Sequence, residues 1–212
     1  MPYMRQSELE ARAGADSVAR AIGGRVRQGR NSRGWTLDQL AERSGVSRRM
    51  LVGIEQGSAN PSIATLLLIS DALGIGLPAL VDMDDPPGLR VTRAGAAPVL
   101  WRGKLGGQAV LVAGTEPPDV TELWDWTLGP AESHSSQAHT AGTRELLLVL
   151  DGQLELRVGQ HAEVLTRGDS ASFAGDLPHG YVNASSAQAA RFALTVFEPA
   201  VGRAADGRRH PC

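Results

Sequence analysis

The spacing of apolar residues changes character partway along the chain. From Asp16 to Asp82 apolar side chains recur at helical intervals: Val18, Ile22 and Val26 fall four apart, and Ile63, Leu66 or Leu67, Ser70 and Leu73 three to four apart. This is the period of helices that bury one face. Thr36-Leu37-Asp38-Gln39 has the form of a capping box, in which Thr36 accepts from the third helical N–H and Gln39 reaches back, so a helix is predicted to start there. It carries Leu40 and Ala41 inward and stops at Ser44-Gly45, where glycine takes the left-handed conformation that closes a helix. Val46 follows as a buried plug. Ser47 is a good N-cap for a second helix running to Gln56, with Gly57 as its stop. The pattern predicts helix, tight turn, helix.

The stretch DMDDPPGLRVTRAGAAP neither continues a helix nor offers much to bury, and reads as a linker. Beyond Val99 come short apolar or alternating runs bounded by Gly, Pro and Asp: QAVLVA, TELWDWTL, ELLLVLDG, QLELRV, ASFAG and RFALTVF. Such runs at close spacing predict a β sandwich or barrel. Asp151-Gly152, between LLLVL and LELRV, predicts a two-residue hairpin. The expected organisation is a flexible N-terminal arm over 1–15, a helical domain over 16–82, a linker over 83–98, a β domain over 99–200 and a flexible tail over 201–212.

With 212 residues the chain is long enough for one large domain or two ordinary ones. It has no apolar run approaching the roughly 20 residues that span a bilayer, and its start lacks the apolar centre of a signal peptide, so a cytoplasmic protein without membrane contact is expected. Cys212 is its one cysteine, which excludes an intramolecular disulfide and a thiolate metal cluster. The net charge of -2 hides an uneven distribution. Arg20, Arg25, Arg27, Arg30 and Arg33 follow one another with no acid between, and Arg43, Arg48 and Arg49 come soon after. From Pro98 to Ala200, by contrast, Asp and Glu outnumber Arg and Lys two to one. A basic front suits nucleic acid and an acidic back does not.

In the second helix of the pair Leu51 and Ile54 are expected to face inward with Val46, and Ser47, Arg48, Arg49, Val52 and Gly53 outward. Guanidinium forks at a helix start bond guanine edges or neutralise phosphate, and a serine cap can bind phosphate. The stretch LDQLAERSGVSRRMLVGIEQGSANPSIATLLLISDALGI resembles the Xre-type, lambda-repressor-like DNA-binding domain almost throughout. The match rests on Leu40-Ala41, Gly45-Val46-Ser47, Leu51, Ile54-Glu55, Gly57, Asn60-Pro61-Ser62, Thr65-Leu66 and Ala72-Leu73-Gly74. The resemblance implies DNA contacts from Thr36, Ser47, Arg48, Arg49, Val52 and Gly53. Leu37 and Gly53 stand where such domains often carry longer polar side chains, which shifts base readout toward Arg48 and Arg49.

A second resemblance, to the cupin barrel, covers roughly Val99 to Pro199. Gly129, His139, Glu145 and Gly152 fill the first cupin motif, but Gln137 stands where its first His belongs, and one extra residue separates His139 from Glu145. Gly168-Asp169, Phe173, Pro178-His179, Tyr181 and Asn183 fill the second. The fold expected is therefore an all-α helix-turn-helix domain followed by an all-β cupin, a double-stranded β-helix or jelly-roll barrel. The resemblance implies an effector pocket at Gln137, His139, Glu145 and His179, with Gln137 and His139 sharing one strand face. Two readings of this group stay open. His139, Glu145 and His179 suit a divalent Zn, Fe, Mn or Ni ion, or they hydrogen-bond one another in a metal-free pocket, which the missing first His favours. His134 is expected in an exposed loop, His161 in a turn and His210 in the tail; Trp101, Trp124 and Trp126 are expected in the core or at a dimer face.

The function expected is a homodimeric transcription regulator that binds a palindromic operator in double-stranded DNA and senses a small-molecule effector in its barrel, without catalysis. The alternative is a cupin metalloenzyme of dioxygenase or isomerase type with an accessory DNA-binding domain.

Overall fold

A computed structural model describes residues 6–81 and 89–201, with side chains described from Ser17 onward. The stretch over 82–88 and the tail beyond Val201, which contain part of the expected linker, His210 and Cys212, lie outside the described residues.

Among the described residues five helices come first: α1 (Gln6–Ser32), α2 (Leu37–Ser44), α3 (Arg48–Glu55), α4 (Ile63–Leu73) and α5 (Gly76–Val81). Helical backbone begins at Gln6, ahead of the expected domain start at Asp16, so residues 6–15 are not the arm that the sequence predicts. The local signals behave as written in the chain. The capping box at Thr36 and Gln39 has both its bonds, and Gly45 is left-handed at φ 69°. Ser47 caps α3 and Ser62 caps α4. Ile22, Val26, Leu40, Val46, Leu51, Ile54, Leu66, Ile69 and Leu73 form the helical core. Where α1 crosses α3, a Cβ at Gly23 would lie 2.1 Å from the Ile54 carbonyl oxygen, so only glycine permits that approach.

Ten strands follow among the described residues: β1 (Val99–Arg102), β2 (Gln108–Gly114), β3 (Val120–Leu128), β4 (Ser133–Ser136), β5 (Arg144–Asp151), β6 (Gln153–Val158), β7 (His161–Thr166), β8 (Ser170–Ala174), β9 (His179–Val182) and β10 (Ala190–Glu198). They form a six-stranded sheet in the order β1-β2-β3-β10-β5-β8 and a four-stranded sheet in the order β4-β9-β6-β7, with antiparallel pairing throughout. The apolar runs of the sequence supply β2, β3, β5, β6, β8 and β10; β1, β4, β7 and β9 went unread, being short or polar.

Asp151-Gly152 is not the hairpin expected of it. β5 pairs with β10 and β8, and β6 with β9 and β7, so the chain leaves one sheet at Asp151 and enters the other at Gln153. Gly152 does have the positive φ of 75°, but it serves a corner where a Cβ would meet the Ala189 carbonyl oxygen at 2.5 Å.

Side chains alternate across each strand, and the register stacks the inward ones into rows. Trp126, Phe192 and Val149 make one row across β3, β10 and β5; Trp124, Leu194 and Leu147 make the next. The row after that is Glu122, Val196 and Glu145. The barrel interior thus grades from aromatic to acidic along its length. The acidic end faces the helical domain, where α4 contributes Ile63 and Leu67 to the same pocket as Glu122 and Glu145. α5 packs on β2 so closely that a Cβ at Gly114 would lie 2.1 Å from the Pro78 side chain.

Candidate functional site

The first candidate surface is the start of α3. Ser47, Arg48 and Arg49 are exposed, while Leu51 and Ile54 are buried beneath them. The Ser47 hydroxyl accepts from the Met50 N–H at 3.3 Å and so holds the first turn. Thr36 is exposed at the start of α2. Arg48 is tethered: its Nε lies 3.1 Å from Asp38 Oδ1, which the sequence reading did not foresee. Val52 and Gly53, expected on the outward face, are both half-buried. The Gly53 carbonyl accepts from the Ser58 and Ala59 N–H groups, and a Cβ at Gly53 would lie 2.9 Å from that of Ala59. The loop after α3 folds back over this position, which accounts for glycine where a long polar side chain is usual.

Not every arginine of the basic front is available to a ligand. Arg30 Nε and Nη2 donate to the two Glu55 carboxylate oxygens at 2.6 and 2.9 Å, and Nη1 donates to the Trp35 carbonyl at 2.8 Å. These bonds raise the Arg30 pKa above its ordinary value and pin α1 to α3. Arg25 donates to the Leu80 carbonyl, and Arg43 lies over the face of Trp35.

The second candidate site is the acidic end of the barrel. β5 supplies Glu145, β9 supplies His179, and the irregular segment after β4 supplies His139, whose backbone N–H bonds the Gly175 carbonyl. The Nε2 atoms of His139 and His179 each lie 3.3 Å from Glu145 Oε1. Neither approach has hydrogen-bond geometry, and Oε1 and His179 Nε2 are buried without a partner. The second carboxylate oxygen accepts from the Tyr181 hydroxyl at 2.8 Å, across the gap between the two sheets. His179 Nδ1 lies 2.8 Å from the Leu177 carbonyl oxygen, which can only accept, so Nδ1 carries the proton. In the neutral ring Nε2 is then a lone pair facing a carboxylate oxygen. Two acceptors facing one another in a buried site need something positive between or beside them: a proton, a metal ion or a donor group of a ligand. The ligating atoms of His139, Glu145 and His179 fall within 4.8 Å of one another, so the residues fit a divalent cation.

Gln137 does not join them. β4 ends at Ser136, so Gln137 shares no strand face with His139; Gln137 is exposed and lines two outer cavities together with His139 but not the pocket that holds Glu145 and His179. The extra residue before Glu145 is consistent with this loss of alternation. His134 differs in the opposite sense. It lies in β4 against Trp101 and Trp126, with ring centroids 5.0 and 4.7 Å away, and is not in an exposed loop. Burial, and then the proximity of His179, lower its pKa to about 4, which keeps it neutral. His161 is exposed at the start of β7. Trp124 and Trp126 are buried inside the barrel and line the pocket.

The sequence reading missed two further buried carboxylates at this end of the barrel. Glu122 bonds Trp124 Nε1 through one oxygen at 2.9 Å and leaves the other without a partner. Burial pushes its pKa up to about 8, helped by Glu198 and Glu145 and opposed by the Trp124 bond. Glu198, at the end of β10, is also raised by burial, with Asp71 and Glu145 adding to the effect against the pull of His139. A signal for Glu122 was present, since it shares parity with Trp124, Trp126 and Leu128 in an alternating run. Two other motif residues are structural. Asn183 donates to the Leu128, Gly129 and Gln188 carbonyls, and Gly129 sits where a Cβ would meet the Leu105 carbonyl oxygen at 2.0 Å.

Comparison with known proteins agrees with this division. The helix-turn-helix family matches residues 26–80 and the cupin domain family residues 124–197. The HTH-type transcriptional regulator SutR of Escherichia coli (strain K12) is 30% identical over 171 residues, which span 79% of this chain and 90% of SutR. The HTH-type transcriptional regulator PuuR of the same organism is 24% identical over 166 residues, spanning 78% of this chain and 89% of PuuR. A crystal structure of an HTH_3 family transcriptional regulator from Vibrio cholerae superposes with a TM-score of 0.64 at 24% identity, covering 87% of this chain and 99% of that one, and so has the same fold. Among the described residues no helix is long and apolar enough to cross a membrane.

Proposed function

Because this chain belongs to the HTH-type transcriptional regulators that join a helix-turn-helix domain to a cupin domain, we propose that its barrel is the sensor of a small-molecule effector and that α3 reads a palindromic operator through Arg48 and Arg49. The observation that carries the sensor reading is the buried cluster of His139, Glu145 and His179, whose facing acceptors are left for a bound group to satisfy. A divalent metal ion held there would supply positive charge and open coordination positions. Regulation needs no turnover, only unequal binding of the effector to DNA-competent and DNA-incompetent forms.

Dimerisation is assigned to the outer face of the six-stranded sheet. Leu146 and Leu148 of β5 are 56% and 43% exposed, and Leu123 of β3 and Phe197 of β10 are exposed on the same face. Exposed apolar side chains on one sheet face fit a second copy of the chain, and a two-fold pair would present two α3 helices to half-sites about one DNA turn apart.

Two measurements test the reading. On an operator obtained by in vitro selection, Arg48→Ala or Arg49→Ala is expected to cost about 1–3 kcal/mol of specific binding and much less on random DNA. Equal losses on both would reduce these arginines to phosphate contacts. For the barrel, metal analysis of the purified protein followed by a thermal-shift ligand screen is expected to identify a stabilising compound whose effect disappears in a folded His179→Ala variant. An undiminished effect in that variant would refute the site, and steady multiple turnover of the compound by the wild type would favour the enzyme instead.

A further inference from the structure

A larger cavity of about 500 Å³ lies between helices α1 and α4 and strands β1 and β4. Val18, Ile22, Pro61 and Ile63 line it from the helical domain, and Trp101 and Gln137 from the barrel side. It adjoins the pocket around the histidine and glutamate cluster, because Ile63, His134, Ser136 and His139 line both. The inner pocket measures only about 30 Å³, room for a water or an ion, whereas the outer cavity is in the range of small-molecule sites. The wall that separates a ligand of ordinary size from the cluster is thus made partly of the DNA-binding domain, through Ile63 and Leu67 of α4.

The two ends differ in chemistry. The helical wall of the outer cavity is mostly apolar, with Val18, Ile22, Ile54 and Ile63, and its barrel wall is mixed, with Trp101 beside Arg102 and Gln137; the inner end presents unpartnered acceptors at Glu145 Oε1 and His179 Nε2, and among the described residues neither Lys nor Arg lines that end. A hydrogen-bond donor satisfies such an end, and an added acceptor does not.

We infer that the effector site spans both domains: a small molecule with an apolar body and a hydrogen-bond-donating head lays its body in the cleft against α4 and directs its head to the cluster. This rests on the reading of the barrel as the sensor. α4 packs on α1 and α2, those two helices pack on α3, and Ile54 of α3 itself lines the cleft, so a ligand that touches Ile54 and Ile63 biases the position of the recognition helix. By linkage, operator binding changes ligand affinity by the same factor.

The test uses metal-free full-length protein, titrated with n-alkylamines from ethyl to octyl and with n-alkanoates of equal length, followed by calorimetry. In the wild type affinity for the amines is expected to rise about fourfold per methylene until the cleft is filled, with alkanoates weaker at each length. Val18→Ser and Ile63→Ser are expected to flatten the rise, and Ile63→Leu to keep it, with thermal unfolding confirming that each variant is folded. An unchanged rise in both serine variants would place the body elsewhere and overturn the shared site while leaving the barrel sensor standing. No rise in the wild type would overturn the cleft, and tighter alkanoates would overturn the head assignment. Retained amine binding in His179→Ala, or no binding of any probe to wild type, would sink the barrel reading itself.

Discussion

In the helical domain the half-buried guanidinium of Arg30 meets both oxygens of Glu55, and the exposed Arg48 leans on Asp38. At the acidic end of the barrel Glu122, Glu145 and Glu198 crowd together with His139 and His179, and neither Lys nor Arg lines the pocket among the described residues. The first arrangement places opposite charges in pairs where the chain needs rigidity and leaves Arg49 and the far side of Arg48 free to face a polyanion. The second leaves carboxyl groups and lone pairs unmatched inside a low-dielectric interior, where burial keeps Glu122 neutral. Such an arrangement lowers the stability of the empty barrel and raises the free energy gained when something positive or donating enters. On the proposed function, a large partner outside the protein meets exposed, balanced charge, whereas a small partner taken inside meets buried, unmatched groups.

The largest expected effect breaks the imbalance. Glu122 holds its proton in the folded barrel up to about pH 8, whereas the unfolded chain releases it near 4.5. The folded state therefore binds more protons across that window, so stability falls as pH rises from about 4.5 to about 8, by on the order of 4 kcal/mol for a group buried this deeply. Glu122→Gln should flatten that fall and leave the variant the more stable protein at pH 8. Urea unfolding of metal-free protein at pH 5 and pH 8 measures it, and equal pH slopes in the two proteins would show that Glu122 is not held neutral.

Removing the paired charge should act in the opposite sense. Arg30→Ala leaves Glu55 with its partner gone beneath the α1–α3 contact, where the Arg30 and Glu55 side chains are only 12% and 8% exposed. A loss of about 3 kcal/mol is expected, visible as an earlier transition in chemical unfolding followed by helical circular dichroism. A change within experimental error would mean that the bidentate pair adds nothing beyond its desolvation.

The smallest effect sharpens the difference between buried and exposed pairs. Asp38→Asn removes the tether on an exposed Arg48 and is expected to alter stability by less than about 1 kcal/mol. It should tighten operator binding and steepen its salt dependence, because one carboxylate no longer competes with phosphate for the guanidinium. Weaker binding in this variant would instead show that Asp38 positions Arg48 for the DNA.

Legibility followed sequence distance. The capping box at Thr36 and Gln39, the left-handed Gly45 and the cap at Ser47 each depend on atoms three or four residues apart, and the backbone adopts them wherever the letters occur in that order. The helix-turn-helix and the place of Arg48 and Arg49 at the start of its second helix were therefore written in the chain. His139, Glu145 and His179 were legible as residue types in two spaced motifs, and they do converge. Their surroundings were not legible. Gln137 falls outside the cluster and His134 inside the barrel because a strand ends at Ser136, and no local signal fixes that end. Glu122 and Glu198 each line a pocket with His139 only because β10 lies between β3 and β5 in one register, a pairing that joins segments tens of residues apart.

The sequence by itself determined the two domain types, the caps and turns of the helical domain, and the inward or outward parity of most strands, since each follows from steric and hydrogen-bonding preferences of neighbouring residues. Tertiary structure decided that Asp151-Gly152 turns a corner between sheets, that Arg30 is structural, and that α4 walls the pocket around Glu145 and His179. These depend on which surfaces meet when apolar area is buried across the whole chain, a global competition that no local window contains.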